Sequence, residues 1–162
     1  MLGYLLPIKK KWCDQIFNDQ RKFFEFRKHF DKDFKGRCFV YESGNDGCHK
    51  VIGYFYTERI GYVRPGKELD EDFDLILDSV PEEKVDEVLN LGEPLYCIPI
   101  IQPVRFIRPL MLKEWSLLYR IDKVWTRPPQ SRAKVNFDES IDFSGEGVKI
   151  EKYSRQVAYP FI

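Results

Sequence analysis

The order of apolar and polar residues predicts a chain of short strands with a few helices. Residues 3–8 are almost continuously apolar, which is typical of a buried strand. In residues 10–18 the apolar side chains return at helical spacing, so a helix is predicted there. Its apolar face is formed by Trp12, Cys13, Ile16 and Phe17. The lysines at 9–11 oppose the helix dipole at its start, and Asp14 or a bound anion would offset them.

Three further strands are predicted in the following forty residues. Residues 22–28 alternate with a period of two, so Glu25 and Arg27 share one face while aromatic side chains fill the other. Residues 37–42 and 50–57 are rich in β-branched and aromatic residues, and a glycine-rich loop separates them. These two segments are therefore predicted to form an antiparallel hairpin.

The second half of the chain is predicted to mix helices and bent strands. A helix is predicted over residues 79–91, because its first serine is followed three residues later by Glu82 and because Gly92 ends it. Residues 94–112 are apolar but contain four prolines, which predicts one bent strand or two. A short helix is predicted over residues 113–119.

These elements predict one α+β domain. The chain has 162 residues, of which 43% are hydrophobic, and this suffices for one sizeable core. Strands interrupted by helices predict a curved sheet or a small curved β-barrel with two or three flanking helices, closed by residues 94–112. The domain is predicted to cover residues 1–134. Residues 135–162 are predicted to form a C-terminal extension that docks on the domain or completes it.

Composition argues against several classes of protein. No apolar run approaches the ~18 residues that cross a bilayer, and residues 1–11 lack a signal-peptide core, so a cytoplasmic protein without a membrane partner is predicted. The four cysteines form no CxxC pair, which favours reduced thiols. Cys48 and His49 match no zinc-binding spacing, so an ordinary hairpin loop is favoured over a metal site. Neither a metal nor another cofactor is predicted.

The net charge of zero conceals an uneven distribution. Residues 1–37 hold ten Lys/Arg and five Asp/Glu, and residues 94–134 hold eight and two. Residues 64–93 hold three basic and eleven acidic groups. If the two basic segments meet in the fold, they form a patch that can follow a phosphate backbone; otherwise they are separate solvated surfaces. A protein partner on the acidic stretch 68–87 or on the apolar C-terminus is a further alternative.

Lys22, Glu25 and Arg27 follow one another at a distinctive spacing. This segment resembles the G-x-K-x-x-E-x-R motif of the ASCH family in the PUA-like superfamily, with Gln20 in place of the glycine. Later segments are also similar to the family in their order; they are residues 40–43, 50–55, 105–110 and 128–131. The resemblance covers roughly residues 3–132.

The resemblance implies a PUA-like fold that binds RNA or a nucleotide-like ligand in a basic cleft. Lys9, Lys22, Glu25 and Arg27 would line it, with the carboxylate accepting hydrogen bonds from base N–H groups and the cations contacting phosphate or carbonyl oxygens. Lys22 must then lie on an irregular turn, because a regular strand would send it to the other face. Aromatic residues would either stack on bases or pack in the core; the candidates are Trp12, Phe23, Tyr41 and Tyr54.

Two other interpretations of the motif remain open. In the first, the Glu25 and Arg27 side chains form only a structural ion pair. Some small ASCH proteins are amidohydrolases that remove the acetyl group from N4-acetylcytidine with a Lys, a Thr and a Glu. Their lysine falls on Lys22, but their threonine nucleophile falls on Glu25. As catalytic residues, Glu25 would act as a general base for water and Lys22 would stabilise an oxyanion.

Overall fold

The computed structural model describes residues 1–19, 21–63, 95–141 and 150–152, in which two α-helices and nine strands occur. In chain order these are β1 Leu2–Lys9, α1 Lys10–Cys13, β2 Phe24–Arg27, β3 Gly36–Ser43, β4 Val51–Thr57, β5 Gly61–Val63, β6 Leu95–Pro99, β7 Ile101–Leu110, α2 Leu112–Leu118, β8 Ala133–Asn136 and β9 Ile150–Lys152. The helix predicted over residues 79–91 and the acidic stretch 68–87 lie outside the described residues.

The local patterns located most of these elements. The strand at residues 3–8, the β3–β4 hairpin and the helix at residues 113–119 are confirmed, and residues 94–112 divide into β6 and β7. The helix predicted over residues 10–18 is α-helical only at Lys10–Cys13, because the chain continues as one π-helical turn at Asp14–Asn18. The Lys10 ammonium lies 2.7 Å from the Asp14 carboxylate, which confirms that this acid offsets the positive helix start.

The strands form two sheets. The main sheet has the order β8-β1-β3-β4-β7-β9, in which β1 and β3 are parallel and every other pair is antiparallel. The small sheet is antiparallel, with the order β2-β6-β5. The α+β class is confirmed, but the described strands do not close into a barrel. Residues 95–110 supply β6 to the small sheet and β7 to the main one, so their strands divide between two sheets.

Two apolar cores lie on the two faces of the main sheet. Alternation along β3 sends Phe39 and Tyr41 into the core under α2, and sends Cys38 and Val40 into the core shared with α1 and the small sheet. Among the described residues, no helix has the length and hydrophobicity that a membrane crossing requires. A cytoplasmic location stays a prediction.

The segment after residue 132 contributes two strands to the main sheet. β8 pairs with the first half of β1, from Leu2 to Leu5, and β9 pairs with β7. Beyond β8, the backbones of Met1 and Phe137 exchange two hydrogen bonds of 2.9 Å. β8 therefore includes residues on both sides of the predicted domain boundary at residue 134. The division into a domain and a C-terminal extension stays a prediction.

Candidate functional site

Lys22 lies on an irregular segment before β2. The sequence predicts this position if the Lys22 side chain is to lie near Glu25 and Arg27. β2 begins only at Phe24, and the backbone N–H groups of Arg21 and Lys22 donate to the Gln15 carbonyl at 2.8 and 3.3 Å. These bonds fold the chain back against the turn that follows α1. The Lys22 ammonium consequently lies 3.8 Å from Oε2 of Glu25.

Arg27 joins three parts of the molecule. Its Nε lies 3.4 Å from Oε1 of Glu25, as the i, i+2 spacing on one strand face predicts. Its Nη2 donates to the Pro7 carbonyl of β1 at 2.6 Å, and its Nη1 donates to the Ser131 carbonyl before β8 at 2.7 Å. Arg27 thus fastens the small sheet to the main sheet, which is a structural role.

The cluster of Lys22, Glu25 and Arg27, called the Glu25 cluster below, is nearly enclosed. The three side chains are 10%, 10% and 14% exposed. Both contacts to Glu25 are ion pairs without hydrogen-bond geometry, and in the described part of the chain Oε2 of Glu25 and Nε of Arg27 have no hydrogen-bond partner. A buried carboxylate oxygen without a donor is costly, so Oε2 of Glu25 is an unsatisfied acceptor in this conformation.

Trp12 is the aromatic candidate that the fold brings to the Glu25 cluster. The Lys22 ammonium lies 4.9 Å from the centre of the Trp12 ring and 5.5 Å from that of Phe26. The Lys11 ammonium also lies over Trp12, at 4.7 Å. The half-buried indole therefore lies within cation–π distance of two ammonium groups. Phe23 is half-buried at the start of β2, and its carbonyl accepts a bond from the Ile100 N–H at 2.8 Å.

Three residues predicted to line the cleft lie elsewhere. Tyr41 and Tyr54 are 6% and 7% exposed and belong to the core under α2, on the sheet face opposite to the small sheet. The Tyr54 ring packs 4.2 Å from the guanidinium of Arg37. Lys9 is exposed at the end of β1, beside Gly44, and is absent from the ion pairs of the Glu25 cluster among the described residues. The structure therefore does not bring Lys9, Tyr41 or Tyr54 to the Glu25 cluster.

The cysteines are free thiols in two different environments. Cys13, Cys38 and Cys97 are buried, and burial raises the pKa of each thiol far above its usual range. Cys48 is exposed, although partial desolvation and then the neighbouring Glu42 carboxylate raise its pKa as well. In the part of the chain that the structure describes, no three side chains of His, Cys, Asp or Glu gather to hold a metal.

We expect a thiol reagent such as dithionitrobenzoate to modify one cysteine per native chain and all four in denaturant. The reactive species is the thiolate, so Cys48 should react faster as pH rises, and slower than free cysteine at equal pH. A Cys48→Ser variant provides the control and should release no thionitrobenzoate while native. Rapid modification of two or more native thiols would contradict the buried positions.

Comparison with known proteins agrees with this fold. No protein-family model and no curated protein matches the sequence. The ASCH protein of Zymomonas mobilis matches with a TM-score of 0.52 and 18% identity, over 81% of this chain and 85% of that chain. Two mutants of that protein match with TM-scores of 0.52 and 0.51, at 16% and 18% identity, again over 81% of this chain and over 86% and 88% of theirs. This chain therefore has an ASCH-like fold.

Proposed function

We propose that this protein binds RNA or a nucleotide-like ligand beside the Glu25 cluster. The observation that carries the proposal is the buried Oε2 of Glu25, which has no donor among the described residues and lies 3.8 Å from the Lys22 ammonium. Nucleobases present N–H groups, and such an oxygen can accept hydrogen bonds from them. The two cations of the cluster outnumber its one carboxylate, which favours a ligand that also carries negative charge.

The neighbouring surface has the other groups that a single-stranded nucleic acid needs. Lys11 is exposed on α1 and can contact a phosphate, whereas Lys10 pairs with Asp14. The half-buried Trp12 ring lies near the Lys11 and Lys22 ammonium groups, and base stacking on such a ring contributes about 1–3 kcal/mol. The ASCH-like fold supports the same ligand class, since the family resemblance implies RNA binding.

Fluorescence anisotropy with a labelled single-stranded RNA of about twelve nucleotides tests the proposal at about 50 and 200 mM salt. The affinity of the wild type should fall with salt. Lys22→Gln should weaken binding about tenfold, because a hydrogen bond to a charged group contributes about 1.5–3 kcal/mol. The same variant should reduce the logarithmic salt slope by roughly 0.7, the value for one phosphate contact on a single strand.

Lys113→Gln is the matched control, because it removes the same charge from an exposed position on α2. It should leave the affinity unchanged, and circular dichroism should confirm that both variants are folded. Absence of wild-type binding at either salt concentration would contradict the proposal. Equal losses in the two variants would show general charge attraction in place of a site at Lys22.

The same geometry favours one second candidate. A carboxylate oxygen without a donor, next to an ammonium group, is also the arrangement of a general base beside an oxyanion stabiliser. An amidohydrolase of this kind would release cytidine and acetate from N4-acetylcytidine, and Glu25→Gln would abolish turnover. Cytidine release that is equally fast in Glu25→Gln, or undetectable in the wild type, would reject it.

A further inference from the structure

A second feature, away from the Glu25 cluster, is an open groove at the corner where β7 leads into α2. Its volume is about 650 Å³. It is lined by Lys50, Arg108, Pro109, Met111, Lys113, Glu114, Leu117 and Leu118. Because α2 packs on the sheet face opposite to the small sheet, the groove is a separate surface from the Glu25 cluster.

Two of the side chains that line the groove are aliphatic and highly exposed. Met111 is 62% exposed and Leu117 is 60% exposed, and these are the two highest values among the large hydrophobic side chains of the described residues. They border Leu118, which packs against the core below. Single exposed apolar residues are common, but two that line one concave surface mark an interaction site more often.

The rim of the groove carries uncompensated positive charge. Both Arg108 Nη atoms donate to the Glu114 carboxylate at 2.9 Å, so these two charges neutralise each other. Lys50 and Lys113 are exposed, and neither forms an ion pair with another described residue. The groove therefore combines exposed aliphatic side chains with a net positive charge from Lys50 and Lys113, and this charge is complementary to an acidic partner.

The lining favours a polypeptide over a nucleic acid. Single-stranded nucleic acids bind through aromatic platforms on which bases stack, and none of the described residues that line this groove is aromatic. Methionine and leucine instead accommodate the aliphatic side chains of a peptide, as in grooves that bind amphipathic helices. We propose that the groove binds an acidic amphipathic segment of a partner protein. Its aliphatic side chains would lie on Met111 and Leu117, and its carboxylates would face Lys50 and Lys113.

The test is a selection from a displayed library of random peptides of roughly twelve residues, about three helical turns, on the wild-type protein. Phage that also bind the M111D/L117D variant are removed first. Enriched peptides should carry net negative charge and aliphatic residues at i, i+3 or i+4 spacing. Measured by anisotropy, their affinity should fall at least tenfold in M111D/L117D and in K50E/K113E.

Two variants serve as matched controls at exposed positions outside the groove. Val124→Asp introduces the same charge in place of an exposed apolar residue, and Arg127→Glu reverses an exposed cation. Both should bind the selected peptides like the wild type. Failure to enrich peptides, enrichment of basic peptides, or equal losses in the controls would overturn the proposal. It would also be overturned if M111D/L117D impaired RNA binding and left peptide binding intact.

Discussion

Replacing Trp115 with Ala is expected to lower the free energy of unfolding by about 3–5 kcal/mol. Trp115 is fully buried on α2, and its ring packs 5.2 Å from that of Phe39 in the centre of the main sheet. The variant loses the apolar burial of the ring and leaves a cavity that the surrounding side chains fill only in part. Urea unfolding followed by far-ultraviolet circular dichroism measures the loss.

Leu117→Ala gives the matched control for that measurement. It truncates a side chain on the same helix that is 60% exposed, so the unfolding free energy should change by only about 0.5 kcal/mol. Trp115→Phe should fall between the two, because it keeps an aromatic ring and removes an indole N–H that has no acceptor among the described residues. A loss below about 1 kcal/mol in Trp115→Ala would contradict the central position of this residue.

Replacing Arg27 with Ala is expected to cost about 3–5 kcal/mol of stability, which is typical when one partner of a buried ion pair is removed. The change takes away the donors to the Pro7 and Ser131 carbonyls and leaves Glu25 with only the Lys22 ammonium nearby. Arg27→Lys should cost less than Arg27→Ala, because it keeps the charge but lacks the planar fork that bonds both carbonyls. Urea unfolding measures all of these variants.

A double variant separates the two contributions of Arg27. In the Glu25→Gln background, Arg27→Ala should cost less stability than in the wild type, because only the bonds to the Pro7 and Ser131 carbonyls are then lost. Arg120→Ala is the control, since that arginine is 76% exposed and its ion pair with Asp138 is solvated. Equal effects of Arg27→Ala and Arg120→Ala would show that Arg27 does not hold the two sheets together.

Local patterns predicted the parts of this fold that depend on nearby residues. The period of two in residues 22–28 placed Glu25 and Arg27 on one face, and their 3.4 Å contact confirms it. The sequence could say only that Lys22 must leave the regular strand if it is to lie near Glu25. Whether it does so depends on the hydrogen bonds of the Arg21 and Lys22 N–H groups to the Gln15 carbonyl. Arg27 donates hydrogen bonds to the Pro7 and Ser131 carbonyls, which are 20 and 104 residues away along the chain. The sequence could not predict these partners, because every residue carries a backbone carbonyl.

The positions of Tyr41 and Tyr54 show a second limit. Alternation divides each strand into two faces, but it does not say which face meets α2 and which meets the small sheet. That choice depends on the order of strands across the main sheet and on the layers that cover it. Both tyrosines are therefore in the core under α2, whereas Trp12, next to the motif in space, is the aromatic residue beside Lys22.

The pairing of β1 with β8 has a consequence for synthesis on the ribosome. The first strand gains its partner on that edge only when residues 133–136 emerge from the exit tunnel. At about 5–20 residues per second, the nascent chain carries this open strand edge for roughly 7–27 s. Unpaired edges invite pairing with other chains, so during this interval the growing polypeptide is exposed to aggregation through β1 and a chaperone would protect it.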